Sequence, residues 1–68
     1  MIDMESYLLY IKGKGIDDCA NKHCKDDDAA LDLAKKIVRR APLGTTIKVY
    51  HLDETDGRTK TYVGMVKH

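Results

Sequence analysis

TIKVYHLDETDGRTKTYVGMV, residues 46 to 66, is the stretch whose reading decides the fold. It divides into TIKVYHLDE, TDG and RTKTYVGMV, the pattern of a β-hairpin. Thr55-Asp56-Gly57 suits a three-residue connection, a type I turn followed by a glycine able to take positive φ. That loop sets a register. Glu54 pairs with Arg58, Leu52 with Lys60, Tyr50 with Tyr62 and Lys48 with Gly64. The alternate pairs are Asp53 with Thr59, His51 with Thr61, Val49 with Val63 and Ile47 with Met65. Side chains alternate faces with a period of two. Ile47, Val49, Val63 and Met65 then form a core face, with His51 and Thr61 nearer the turn. Lys48, Tyr50, Leu52, Lys60, Tyr62 and the Glu54/Arg58 pair form a basic, aromatic face.

Working back along the chain, Asp26 to Ala41 predicts a helix. Ala30, Leu33, Ala34, Ile37, Val38 and Ala41 make one apolar stripe at helical spacing. Asp26 or Asp27 serves as N-cap. Acids at the start and bases at the end complement the helix dipole, and Asp32 to Lys36 forms an i,i+4 pair. Pro42 ends the helix, and Leu43-Gly44 turns the chain into the hairpin.

Glu5 to Lys12 predicts a first strand ending at Gly13. Tyr7, Leu9 and Ile11 share one face; Leu8, Tyr10 and Lys12 share the other. Both faces are apolar enough that the pattern does not choose between them, which suits a central strand. Ile16 to Lys25 alternates poorly and reads equally as a short second strand or an irregular connection. The expected architecture is α+β: one helix on one face of a mainly antiparallel sheet of three or four strands, in the order β-(β)-α-β-β. Sixty-eight residues make a single domain, 1–68, with a thin core.

Hydrophobic residues are 43% and charged residues 34%, values for a folded domain rather than a disordered chain. Net charge is +1, which gives a dedicated nucleic-acid binder no global support. The acidic start MIDMES and a longest apolar run of only Tyr7 to Ile11 predict neither a secretory signal nor a membrane span. The expected location is the cytoplasm, with Cys19 and Cys24 reduced.

The leading candidate site is the open sheet face: Tyr50 and Tyr62 as anchors, with Lys48, Lys60 and Arg58 around them. Tyr10 and Lys12 join if they share that face. Tyrosine supplies contact area at low entropic cost, which suits a protein partner or a second copy. Aromatics among bases also stack single-stranded nucleic acid. The same residues are ordinary on a solvent-facing sheet, where tyrosine pairs stabilise by themselves.

Cys19, His23 and Cys24 have zinc-ligand chemistry, but C-x3-H-C matches no standard structural site. Asp17, Asp18 and Asp26 to Asp28 lack EF-hand spacing and are explained as helix-start acids. Lys12-Gly13-Lys14-Gly15 lacks the rest of a P-loop and reads as a turn. Lys35, Lys36, Arg39 and Arg40 form a basic helix end suited to a solvated face or a phosphate backbone. No catalytic constellation surrounds Ser6 or the cysteines. No catalytic residue, metal or cofactor is therefore expected. The layout is similar to that of many small bacterial and phage domains, a likeness that rests on no diagnostic motif and carries no function over. The expected role is a non-enzymatic interaction, adaptor or inhibitor-type module. The alternative is a single-stranded nucleic-acid binder using the same tyrosines and lysines.

Overall fold

The computed structural model describes residues 4–53 and 55–68. The elements are β1 (Glu5–Gly13), β2 (Ile16–Cys24), α1 (Asp27–Arg39), β3 (Thr46–Leu52) and β4 (Lys60–Lys67). The sheet is antiparallel throughout, in the order β2-β1-β3-β4. One helix packs against one face, the α+β arrangement expected. The undecided segment 16–25 contains the full strand β2.

β1 lies between β2 and β3, which accounts for its two apolar faces. Tyr7 and Leu9 point under the helix and are fully buried, while Leu8 and Tyr10 are half-buried on the opposite face. The core joins them to Ile47, Val49, Cys24, Val66 and the helical Ala30, Ala34 and Val38. The two alanines face the sheet, and their small side chains let the helix approach it closely.

The helix begins where the acids are. Asp26 Oδ1 accepts from the Ala29 amide at 2.8 Å, satisfying one of the free amides of the first turn. Asp27 is fixed from the sheet, accepting a 2.7 Å hydrogen bond from the Tyr7 hydroxyl. Burial, then that bond to a carboxylate, hold the Tyr7 phenol well above its usual pKa. At the other end the Arg40 amide donates to the Ile37 carbonyl and the Ala41 amide to the Val38 carbonyl. The Asp32–Lys36 ion pair does not form; both side chains are exposed, where such a pair contributes little.

The second hairpin departs from the expected register halfway along. Leu52–Lys60, His51–Thr61 and Tyr50–Tyr62 pair as predicted. Val63 is then an extra residue, a β-bulge opposite the Val49/Tyr50 step. Beyond it Val49 pairs with Gly64, Lys48 with Met65 and Ile47 with Val66. The expected pairs Val49–Val63, Lys48–Gly64 and Ile47–Met65 are therefore each displaced by one residue. Met65 leaves the predicted core face and is 51% exposed on the open face, while Val66 takes the core position at 9%. The bulge also brings Gly64 under the helix, where the Leu31 side chain lies 3.0 Å from the position a Cβ would occupy.

The connection is wider than three residues. The ladder stops at Leu52 and Lys60, and the Asp53 amide makes one further bond to the Thr59 carbonyl. Gly57 takes φ 66 and donates to the Asp53 carbonyl. Asp56 holds the returning limb, accepting from the Arg58 and Thr59 amides and from the Thr59 hydroxyl. The last of these bonds, more than the amides, lowers its carboxyl pKa to about 2. The Glu54/Arg58 pair lies outside the described residues through Glu54.

Candidate functional site

The open face is built by strand alternation across β1, β3 and β4. Tyr10 is opposite Lys48 on β3; Tyr50 is opposite Leu8 on β1 and Tyr62 on β4. These positions put three of the four tyrosines in one line. Tyr10 and Tyr50 meet edge to face, with ring centroids 5.4 Å apart and planes at 88°. Tyr50 and Tyr62 follow at 5.6 Å and 67°. Edge-to-face contact sets the positive ring edge against a negative ring face, so the line is held by its own geometry.

Lysines border this line. Lys60 reaches back across the face and donates from Nζ to the Tyr10 hydroxyl at 2.9 Å, with Nζ 5.3 Å from the ring centroid. The hydrogen bond to Tyr10 raises the Lys60 pKa, keeping the ammonium charged. Tyr10, Lys12, Lys48, Tyr50 and Lys60 line a shallow groove of ≈ 290 Å³. The structure thus brings together six of the seven residues picked from sequence. Arg58 does not join them: it sits in the loop before β4.

One residue of this face, Met65, is placed on the wrong face by the sequence pattern. It reaches the open face only because of the bulge, and with Tyr62, 56% exposed, it gives the β4 side an uncovered apolar surface. Leu8, on the face of Tyr10 as its alternation predicts, sits half-buried opposite Tyr50.

The other candidates separate. Cys19 and His23 lie on the open face and Cys24 on the helix face, because adjacent strand residues point opposite ways. His23 instead shares a 3.1 Å hydrogen bond with Ser6. Burial, then the neighbouring Asp26 carboxylate, raise the Cys24 thiol pKa. No metal-type cluster occurs among the described residues. His51 is on the inner face near the hairpin end, as predicted. Its ring packs 5.1 Å from Tyr7, and Nε2 lies 3.3 Å from Glu5 Oε2. That separation permits an ion pair with the protonated ring, although Nε2 makes no aligned hydrogen bond. The bases of the helix end stay on the helix side of the sheet. Lys36 and Arg40 flank Leu33 and Ile37, while Lys35 and Arg39 border the C-terminal end of β4. Neither groove is lined by a tyrosine, and Lys35 and Arg39 share theirs with Met65.

Among the described residues, no helix is long and apolar enough to cross a membrane. No family model, curated protein or solved structure matches the chain significantly.

Proposed function

We propose that the protein is a non-enzymatic cytoplasmic interaction module that engages a protein partner through the open sheet face. A small adaptor or inhibitor of a larger assembly fits its size. The observation that carries this reading is the Tyr10–Tyr50–Tyr62 line, continued by exposed Met65 and uncovered by any described element. Rigid aromatic anchors with a charged border are the residue types from which binding energy at protein interfaces is concentrated.

The test compares capture from native lysate by the wild type and by Tyr50→Ala/Tyr62→Ala, with circular dichroism confirming that both are folded. Loss of a stoichiometric partner in the double variant is expected. Retention of every partner by the folded double variant removes the sheet-face reading.

A second reading, single-stranded nucleic-acid binding, is favoured by Lys12, Lys48 and Lys60 around the same groove. Phosphate contacts weaken steeply with salt, whereas an aromatic protein interface does not. A labelled oligonucleotide that fails to bind at low salt eliminates this alternative.

A further inference from the structure

β2 is an edge strand, since the sheet runs β2-β1-β3-β4. Among the described residues, no strand pairs with its outer backbone groups. The Cys19 amide shows this directly: it bonds the carboxylate of its own neighbour, Asp18 Oδ1, at 2.9 Å rather than a carbonyl of β1. Antiparallel alternation then directs the backbone N–H and C=O groups of Asp17, Asn21 and His23 to the same free edge. Such an edge is a template for another strand, and charges along it usually prevent pairing.

Here the order of the charges does the opposite. β2 reads IDDCANKHC, with acids Asp17 and Asp18 before Ala20 and Lys22 and His23 after it. A two-fold axis through Ala20 sets the strand antiparallel to a second copy of itself. Asp18 then faces Lys22 of the second copy, Asp17 faces His23, Cys19 faces Asn21, and Ala20 faces Ala20. Every pair except Ala20–Ala20, which lies on the axis, occurs twice by symmetry. The edge-directed residues 17, 19, 21 and 23 pair only with one another, so the ladder closes in phase. A symmetric shift one way sets Asp18 opposite Cys24 and the other way sets it opposite Ala20, and both lose the Asp18–Lys22 match. Larger shifts bring Asp18 onto Asp18 or Lys22 onto Lys22. Only the register centred on Ala20 sets Asp18 opposite Lys22; opposite charges facing across strands favour it, and like charges oppose the larger shifts.

The other edge lacks this property. β4 begins and ends with lysine, so antiparallel self-pairing about its centre sets Lys60 against Lys67, and the Val63 bulge interrupts its ladder. The net charge of +1 places little global repulsion between copies.

We propose that the chain forms a homodimer by β2–β2 pairing centred on Ala20, giving one continuous eight-stranded sheet. On dimerisation the Asp18 carboxylate leaves the Cys19 amide for Lys22 of the second copy, and that amide enters the new ladder. The perpendicular two-fold keeps both tyrosine lines on the same face, so the dimer presents two copies of the open surface side by side. This inference does not rest on the tyrosine face as a binding site.

Light scattering and sedimentation of the full chain across a concentration series test it. The wild type is expected to reach twice the chain mass. Asp18→Lys and Lys22→Asp, checked for folding by circular dichroism, should each weaken self-association on the order of tenfold. Asp18→Lys/Lys22→Asp exchanges the charges and should restore the dimer. In a Cys19→Ser background, Ala20→Cys places two thiols opposite each other on the axis. The Cα spacing of such a pair lies within disulfide reach, so mild oxidation should cross-link it faster than Asn21→Cys. A wild type of single-chain mass at every concentration overturns the proposal, as does a folded charge-swapped variant that stays monomeric. Tyr50→Ala/Tyr62→Ala should leave the dimer intact; its dissociation would assign self-association to the open face and remove the edge model.

Discussion

The two hairpins of this sheet solve the same problem in different ways. β1 and β2 join through the tight Lys14-Gly15 turn and pair in unbroken register from Gly13–Ile16 to Glu5–Cys24. β3 and β4 join through a wide loop held by Asp53 and Asp56, and their register slips by one at Val63. The regular hairpin exposes a straight edge with an ordered charge sequence. The bulged one re-aims the end of its outer strand, moving Val66 inward and Met65 outward. A sheet covered on one side by a single helix can tolerate both solutions. The inner strands β1 and β3 carry the core, and the outer strands are left to shape surfaces.

That division predicts how substitutions rank. Leu9→Ala, in the inner strand of the regular hairpin, should cost about 3 kcal/mol. Leu9 is fully buried, and a domain this small has a total stability of only several kcal/mol. Denaturant melts should show the midpoint moved strongly to lower denaturant.

The bulge is tested by the pair Val66→Ala and Met65→Ala. With the slip, Val66→Ala costs about 1.5 kcal/mol and Met65→Ala about 0.5 kcal/mol or less. An unslipped hairpin would reverse that order, because Met65 would then sit under the helix. Urea midpoints of the two variants separate the cases.

The turns come next. Gly15 at φ 79 and Gly57 at φ 66 both occupy the left-handed region. Alanine at either position should cost about 1 kcal/mol. Backbone hydrogen exchange should localise the loss to the hairpin carrying the change. Equal loosening of both hairpins by one substitution would show that they open as a unit.

The smallest effect belongs to Asp56. Its folded-state pKa is about 2, below the ordinary 3.8, because the Thr59 hydroxyl and the Thr59 and Arg58 amides bond the ionised carboxylate. A depressed carboxyl pKa means that its contribution to stability is present above pH about 4 and disappears as pH falls to about 2. Carbon-detected NMR titration should place the Asp56 midpoint near the lower value, and Asp56→Asn should remove this part of the acid dependence. An Asp56 midpoint at the ordinary carboxylate value would show that the loop bonds do not persist in solution.

Residue order alone determined the helix, because its signals are local: an acid cap at Asp26, an apolar stripe through Ala30, Ala34 and Val38, and a proline stop. It also determined the near-turn half of the second hairpin, where alternation pairs Tyr50 with Tyr62. Most of the candidate face followed, since Tyr50, Tyr62, Lys48 and Lys60 share one parity on two adjacent strands. Three decisions belonged to the tertiary structure. Met65 and Val66 are both apolar, so alternation cannot say which is inside; the helix decides, packing Leu31 over Gly64 and leaving Val66 buried. β2 lacks an apolar stripe because it is an edge strand whose inner-facing Asp18 and Lys22 remain exposed, so only its pairing with β1 identifies it. Tyr10 joined Tyr50 because β1 lies beside β3, a long-range pairing that no local pattern specifies.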